Sequence, residues 1–125
     1  MVSTPFEAAV RFEEGTARID LAGRIDASAE QELNEAYDQA EAQGGNTVVL
    51  NFHRVTYINS TGIALIVGLL ARARKSHRQL AVYGLNDHYQ EIFRITRLSD
   101  FMTVYPDETS FQADDPVDQR PVGPA

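Results

Sequence analysis

Apolar and polar residues alternate over most of 6–12, where Phe6, Ala8, Val10 and Phe12 are set against Glu7 and Arg11. They do so again over 17–23, with Ala17, Ile19 and Leu21 against Arg18 and Asp20. A period of two predicts half-buried strands, and Glu14-Gly15 between them predicts a hairpin. The period then lengthens: Leu33, Ala36, Tyr37 and Ala40 recur at spacings of three and four, with Glu30, Glu32, Glu35, Asp38 and Glu41 elsewhere on the wheel. This predicts an amphipathic helix with an acidic outer face. Asp26 falls at or near its start, Ser28 and Gln31 stand at capping-box spacing, and Gly44-Gly45-Asn46 ends it. Residues 47–52 form a short run rich in β-branched and apolar side chains, the mark of a strand buried on both faces. Residues 79–84 predict the next strand, and Asn86 caps a helix with Tyr89, Ile92, Phe93 and Thr96 on one side. A turn at Ser99-Asp100 and the apolar Phe101, Met102, Val104 and Tyr105 supply a short final strand. The order ββαβαβαβ predicts an α/β fold with a mixed, mainly parallel sheet and helices packed on it.

One stretch stands out. Within residues 56–70 a strand, a polar turn and an almost wholly apolar helix follow one another. Asn59, Ser60 and Thr61 are short polar residues of the kind that cap helices, so a helix is expected to begin near Ser60. It ends in Arg72, Arg74 and Lys75, which suit the negative end of the helix dipole and leave the positive end beside the Ser60 hydroxyl. A phosphoryl group on Ser60 would meet that positive end. Ile63, Ile66, Val67 and Leu70 form one apolar stripe and Leu65 and Leu69 a second. One must face the sheet, and the other lies under a further element or is presented to a partner.

Composition narrows the chemistry. With 125 residues the chain is expected to form one domain. From Ala113 onward Pro116, Pro121 and Pro124 accompany Asp114, Asp115 and Asp118, predicting a domain over 1–112 and a disordered acidic, proline-rich tail over 113–125. A net charge of −7 argues against a nucleic-acid partner, since phosphate binding needs clustered Lys and Arg, and favours basic or mixed protein surfaces. The absence of cysteine excludes disulfides, thiol catalysis and thiolate metal sites. His53, His77 and His88 fall on separate elements with no i, i+4 pair, so no metal site is expected. The one basic cluster, Arg72, Arg74, Lys75 and Arg78, reads as a solvated helix end. No phosphate-binding Gly-Lys-Ser/Thr loop, zinc-binding helix or nucleophile elbow appears, so neither catalysis nor a cofactor is expected. The N-terminus lacks a signal-peptide pattern. The longest apolar run, 63–71, is far short of the ~20 residues that span a bilayer, so no membrane insertion is expected.

The run Asn59-Ser60-Thr61-Gly62-Ile63 after a strand resembles the phosphorylation loop of the STAS family, Asp-Ser-Ser/Thr-Gly-Leu/Ile, in particular that of bacterial anti-sigma factor antagonists. Gly23-Arg24-Ile25-Asp26 is similar to the family's Gly-x-Leu/Ile-Asp stretch, and the resemblance runs over roughly residues 6–112 in element order. Asn59 departs from the pattern, being neutral where the family usually has a carboxylate. The resemblance implies a STAS fold with a C-terminal helix, for which only 107–112 are available, so that helix should be short or frayed. It also implies a cytoplasmic regulator that binds an anti-sigma factor serine kinase. Ser60 would be the phosphoacceptor, with Thr61 second to it, and Asp26, Asn59, Ser60, Thr61, Gly62, Ile63 and Leu65 would form the partner-binding surface. A metal-dependent serine phosphatase would reverse the modification. Two other readings stay open: a STAS scaffold or accessory subunit of a signalling or membrane transport complex that is not phosphorylated, and an enzyme with a pocket not apparent from motifs.

Overall fold

The computed structural model describes residues 6–114 together with 116 and 117. Strand β1 (Glu7–Glu13) reverses through Glu14 and Gly15 into β2 (Thr16–Ile25), and both turn residues have positive φ, 52° and 78°. That is the backbone of a two-residue type I′ hairpin, whose twist matches the strands it joins. β2 then runs parallel to β3 (Thr47–Ile58), followed by β4 (Gln79–Tyr83) and β5 (Thr103–Tyr105), in the sheet order β1-β2-β3-β4-β5. Parallel neighbours need a crossover, supplied in turn by α1 (Glu30–Ala42), α2 (Ser60–Lys75) and α3 (Asp87–Ile95). A five-residue α4 (Glu108–Gln112) follows β5, short as expected. The mixed, mainly parallel sheet predicted from the hydrophobic pattern is present.

Three local expectations are corrected. β3 has 12 residues, continuing beyond 52 through His53, Arg54, Thr56 and Tyr57, all solvent-exposed. No burial pattern announces this extension because it pairs only with β2, as Gly23↔Val55 and Ile25↔Ile58, while β4 has already ended at Tyr83. Register shifts between Asp20 and Ala22 and between Gly23 and Arg24 each leave an extra residue on β3 and bend this arm, and on β2 Gly23 has a positive φ of 93°. The Ser28–Gln31 capping box does not form. Asp26 instead caps a 3-10 turn over Ala27–Ala29, α1 starts at Glu30, and Gln31 donates to Glu35. On α2 the buried stripe is Gly62, Ile66, Leu69, Leu70 and Ala73. The sheet-facing stripe therefore takes Ile66 and Leu70 from one expected stripe and Leu69 from the other, while Val67 is 44 % exposed.

Alternate residues of the strands (Ile19, Leu21, Leu50, Val82, Val104) pack with Leu33 and Tyr37 of α1, Ile66 of α2 and Phe93 of α3 in the main core. Val49, Ala81, Tyr83 and Tyr105 point to the opposite face, where Phe111 of α4 stacks 6.0 Å from Tyr83 and meets Tyr105 edge-on at 5.2 Å. The central strand is thus buried on both sides, as its composition predicted. Arg18, only 4 % exposed, is held on this second face by Glu108 and by Glu13 at 3.0 Å. The packed chain also runs past Gln112: Tyr105 donates to Asp114 at 2.6 Å, and the Val117 amide donates to the Val104 carbonyl at 2.8 Å. Asp115 and the part of the expected tail after Val117 lie outside the described residues. At the other end, Arg72 binds Asp38 at 2.6 Å and lies over the Tyr37 ring, and Arg78 pairs with Glu41 at 3.4 Å. Arg72 thus ties α2, and Arg78 the turn before β4, to α1, rather than forming a solvated helix end.

Beside Arg18, Asp20 accepts from Arg11 at 2.6 Å and from Asn51 at 2.8 Å. Burial acts to raise the Asp20 carboxyl, but these hydrogen bonds outweigh it and hold the group below the ordinary carboxylate range. A pKa lowered by folding contributes stability above the unfolded value of about 3.9, and that contribution is lost as pH falls through the folded value. Acid-unfolding curves of Asp20→Asn should therefore fall less steeply below about pH 4 than those of the parent chain. Parallel curves would place the acid sensitivity elsewhere.

Candidate functional site

The last residues of β2 and β3 lie side by side, Ile25 opposite Ile58, so Asp26 and Asn59 leave the sheet as neighbours at the carboxyl ends of two parallel strands. Such edges are where open α/β sheets gather binding groups. The Asn59 amide donates to the Ile25 carbonyl at 3.3 Å, tying the loop to β2. Its backbone is extended (φ −100°, ψ −174°), and its side-chain oxygen accepts from the Gly62 amide at 2.9 Å. Asn59 is therefore the cap, and Ser60 is the first residue of α2 rather than its capping residue. Both a carboxylate and a carboxamide oxygen can accept this bond, so the neutral side chain preserves the turn. Asn59→Ala should lower thermal stability by about 1 kcal/mol, as loss of an N-cap does. Asn59→Asp should match or exceed the parent, because a carboxylate at this end of a helix is favourable by about 0.3–1 kcal/mol. Thermal unfolding of the two variants checks both; equal melting of all three chains would mean that the cap contributes nothing.

Gly62 fixes how closely α2 approaches β2. A Cβ at this position would lie 2.0 Å from the Ile25 carbonyl oxygen and 2.9 Å from the Ile58 side chain. Only a residue without a side chain permits that contact. With Gly62 turned inward, Ser60 and Thr61 face solvent, and among the described residues neither hydroxyl has a hydrogen-bond partner. The first turn of α2 holds no acidic residue, and its last turn holds Arg72, Arg74 and Lys75. The first turn of α2 thus adds no negative charge of its own where Ser60 stands, and the positive end of a helix favours an added anion.

Asp26 is half-buried and engaged with its own turn. Its Oδ1 accepts from the Ser28 hydroxyl at 2.5 Å and from the Ser28 amide at 3.0 Å, and these bonds, the hydroxyl's first, lower its pKa. Arg24 stands 3.8 Å from Asp26 and places its guanidinium 4.2 Å over the Tyr57 ring. The structure brings together Asp26, Asn59, Ser60, Thr61 and Gly62 around one strand-to-helix junction. Ile63 and Leu65 follow on α2, half-buried and packed against the core. Arg24 and Tyr57 at the flank were not foreseen; each is an ordinary strand residue in sequence, and only the β2–β3 register makes them neighbours. The Tyr89 hydroxyl was missed too: it accepts from the Ile58 amide at 3.0 Å and so steadies the strand just before the loop. The three histidines are exposed, and among the described residues no group of His, Asp and Glu is placed to hold a metal ion.

The mixed sheet thus carries a solvent-facing serine at a strand-to-helix junction. The family described as "Mlab, STAS domain" matches residues 8–104, and the chain belongs to the STAS family. Over 94 residues it is 32 % identical to the anti-sigma-B factor antagonist of Listeria monocytogenes, covering 74 % of this chain and 82 % of that one. The crystal structure of an anti-sigma factor antagonist from Mycobacterium paratuberculosis superposes with a TM-score of 0.76 at 17 % identity, over 90 % of this chain and 97 % of the other. The Bacillus cell fate determinant SpoIIAA in its phosphorylated form gives a TM-score of 0.64 at 20 % identity, over 87 % and 98 %. These neighbours share the fold. Among the described residues no helix is long and apolar enough to cross a membrane.

Proposed function

We propose that the chain is an anti-sigma factor antagonist of the bacterial cytoplasm that docks on an anti-sigma factor serine kinase through the Ser60 loop and the first turns of α2. The kinase phosphorylates Ser60 and thereby ends the complex, and a metal-dependent serine phosphatase restores it. The observation that carries this reading is the exposed Ser60 hydroxyl at the first helical position, without a hydrogen-bond partner among the described residues, on a helix whose own first turn holds no acidic residue. The relatives named as antagonists support the choice of partner, and the flanking Asp26, Thr61, Ile63 and Leu65 supply the remainder of the contact surface. Incubation with such a kinase and ATP, followed by peptide mass analysis, should place one phosphate on the peptide containing Ser60.

A second reading is a STAS scaffold or accessory subunit that is not phosphorylated. Asn59 favours it, because a carboxamide cannot take a proton from the neighbouring hydroxyl as a carboxylate can. A peptide that stays unmodified at both Ser60 and Thr61 would support this reading and overturn the first.

A further inference from the structure

We infer that a groove at the far end of α2 docks an acidic amphipathic helix of a partner protein. The groove, about 380 Å³, lies between the second half of α2 and the turn that follows α3. Its wall is apolar: Val67 and Leu70 on one side, Leu98 and Phe101 on the other. Val67 is 44 % and Phe101 54 % exposed, two of only five large apolar side chains so exposed among the described residues. Val67, Leu70 and Arg74 follow at spacings of three and four, so the groove runs along two turns of α2, roughly 10 Å. That length and direction suit a second helix laid alongside.

The charge around it selects the occupant. Arg74 places its guanidinium 5.2 Å over the Phe101 ring and, among the described residues, pairs with no carboxylate. Lys75 beside it is exposed and likewise has no carboxylate partner among them. Arg97 at the opposite rim is bound to Asp100 at 2.7 Å and is thereby neutralised. The groove is therefore apolar with a net positive rim on a chain whose formal charge is −7. A basic partner would leave Arg74 facing a like charge, whereas carboxylates flanking an apolar stripe would match it. The acidic face of α1 on a second copy does not fit, because its apolar residues Leu33, Ala36, Tyr37 and Ala40 are buried in its own core. The groove lies further along α2 than the Ser60 loop: it starts at Val67, about 10 Å from Ser60, and reaches Arg74, about 21 Å away at 1.5 Å per residue.

The test uses the full chain and two labelled three-turn helical peptides, each with leucines along one face, one flanked by glutamates and the other by lysines. Fluorescence anisotropy should show the glutamate peptide binding at least about tenfold more tightly, a difference that shrinks as salt rises. Arg74→Glu should abolish the preference, and Phe101→Ser should weaken binding about tenfold without altering the thermal transition, since Phe101 is half in solvent. Ser60→Glu should leave peptide binding unchanged, which separates this surface from the proposed phosphorylation site. Equal binding of the two peptides, or binding that survives both groove substitutions, would overturn the inference. So would a dimer in sedimentation that Phe101→Ser dissociates, since the groove would then belong to a second copy.

Discussion

Gly62→Ala is expected to lower the melting temperature by about 10 °C. Its Cβ would stand 2.0 Å from a backbone carbonyl oxygen, that of Ile25, which cannot rotate aside as a side chain can. Forcing extra volume into a packed contact costs about 1–3 kcal/mol, and a clash with main chain belongs at the upper end. For a domain of this size each kcal/mol corresponds to roughly 4 °C. Relief requires α2 to lift from β2, which would also break the Asn59–Gly62 cap and move Ser60. Gly68→Ala, in the same helix, is the internal control. No atom lies within 4 Å of its would-be Cβ, so alanine should stabilise the chain by about 0.5–1 kcal/mol through helix propensity. Circular dichroism melts of the pair decide the matter: Gly62→Ala melting with the parent would mean that the close approach of helix to strand does not exist in solution.

The second large effect concerns affinity. In a titration against the kinase, Ser60→Ala should bind as the parent does and persist in the presence of ATP, while Ser60→Glu should bind about a hundredfold more weakly, or about 2.7 kcal/mol. A phosphoserine carries about −1.5 to −2 charges, and one partner carboxylate ~4 Å away is repelled by ~1 kcal/mol in water and ~4 at a protein surface. Two contacts of intermediate strength reach the expected loss. Because Ser60 is exposed and the helix end is electropositive, neither substitution should disturb folding, and melts should stay within about 0.5 kcal/mol of the parent. Indistinguishable affinities for the two variants would remove charge from the account of how the complex is broken.

What the sequence revealed follows from what each residue's own neighbours decide. Alternation of period two and spacings of three and four located β1, β2, α1 and α3, because in those elements one face is buried and the other is largely wet, whereas β4, buried from Leu80 to Tyr83, stood out as a short apolar run. The hairpin was legible because Glu14-Gly15 has local turn chemistry. The continuity of β3 from residue 52 to the strand expected before the loop was not, because His53, Arg54, Thr56 and Tyr57 are held by backbone pairing to β2 alone and show no alternation of burial. Arg18 read as a solvent-facing strand position, yet α4, ninety residues on, covers it with Glu108 and Phe111. At the loop, the junction of a polar triplet with an apolar helix marked the place. Which of the three residues caps the helix depends on backbone angles that composition does not encode. The contact between Gly62 and Ile25 is tertiary and had no sequence signal beyond the glycine itself.

The clamp of Gly62 against the Ile25 carbonyl also bears on how a message would travel. Held this firmly, the segment has little room to reshape itself when it gains a phosphate, so information would reside in the decorated surface and not in an altered shape passed through the domain. Under the proposed switch each molecule is either marked or unmarked, and the cell's response tracks the marked fraction. Sharpness in that response would have to come from competition between the modifying and demodifying enzymes, with the domain acting as their tally.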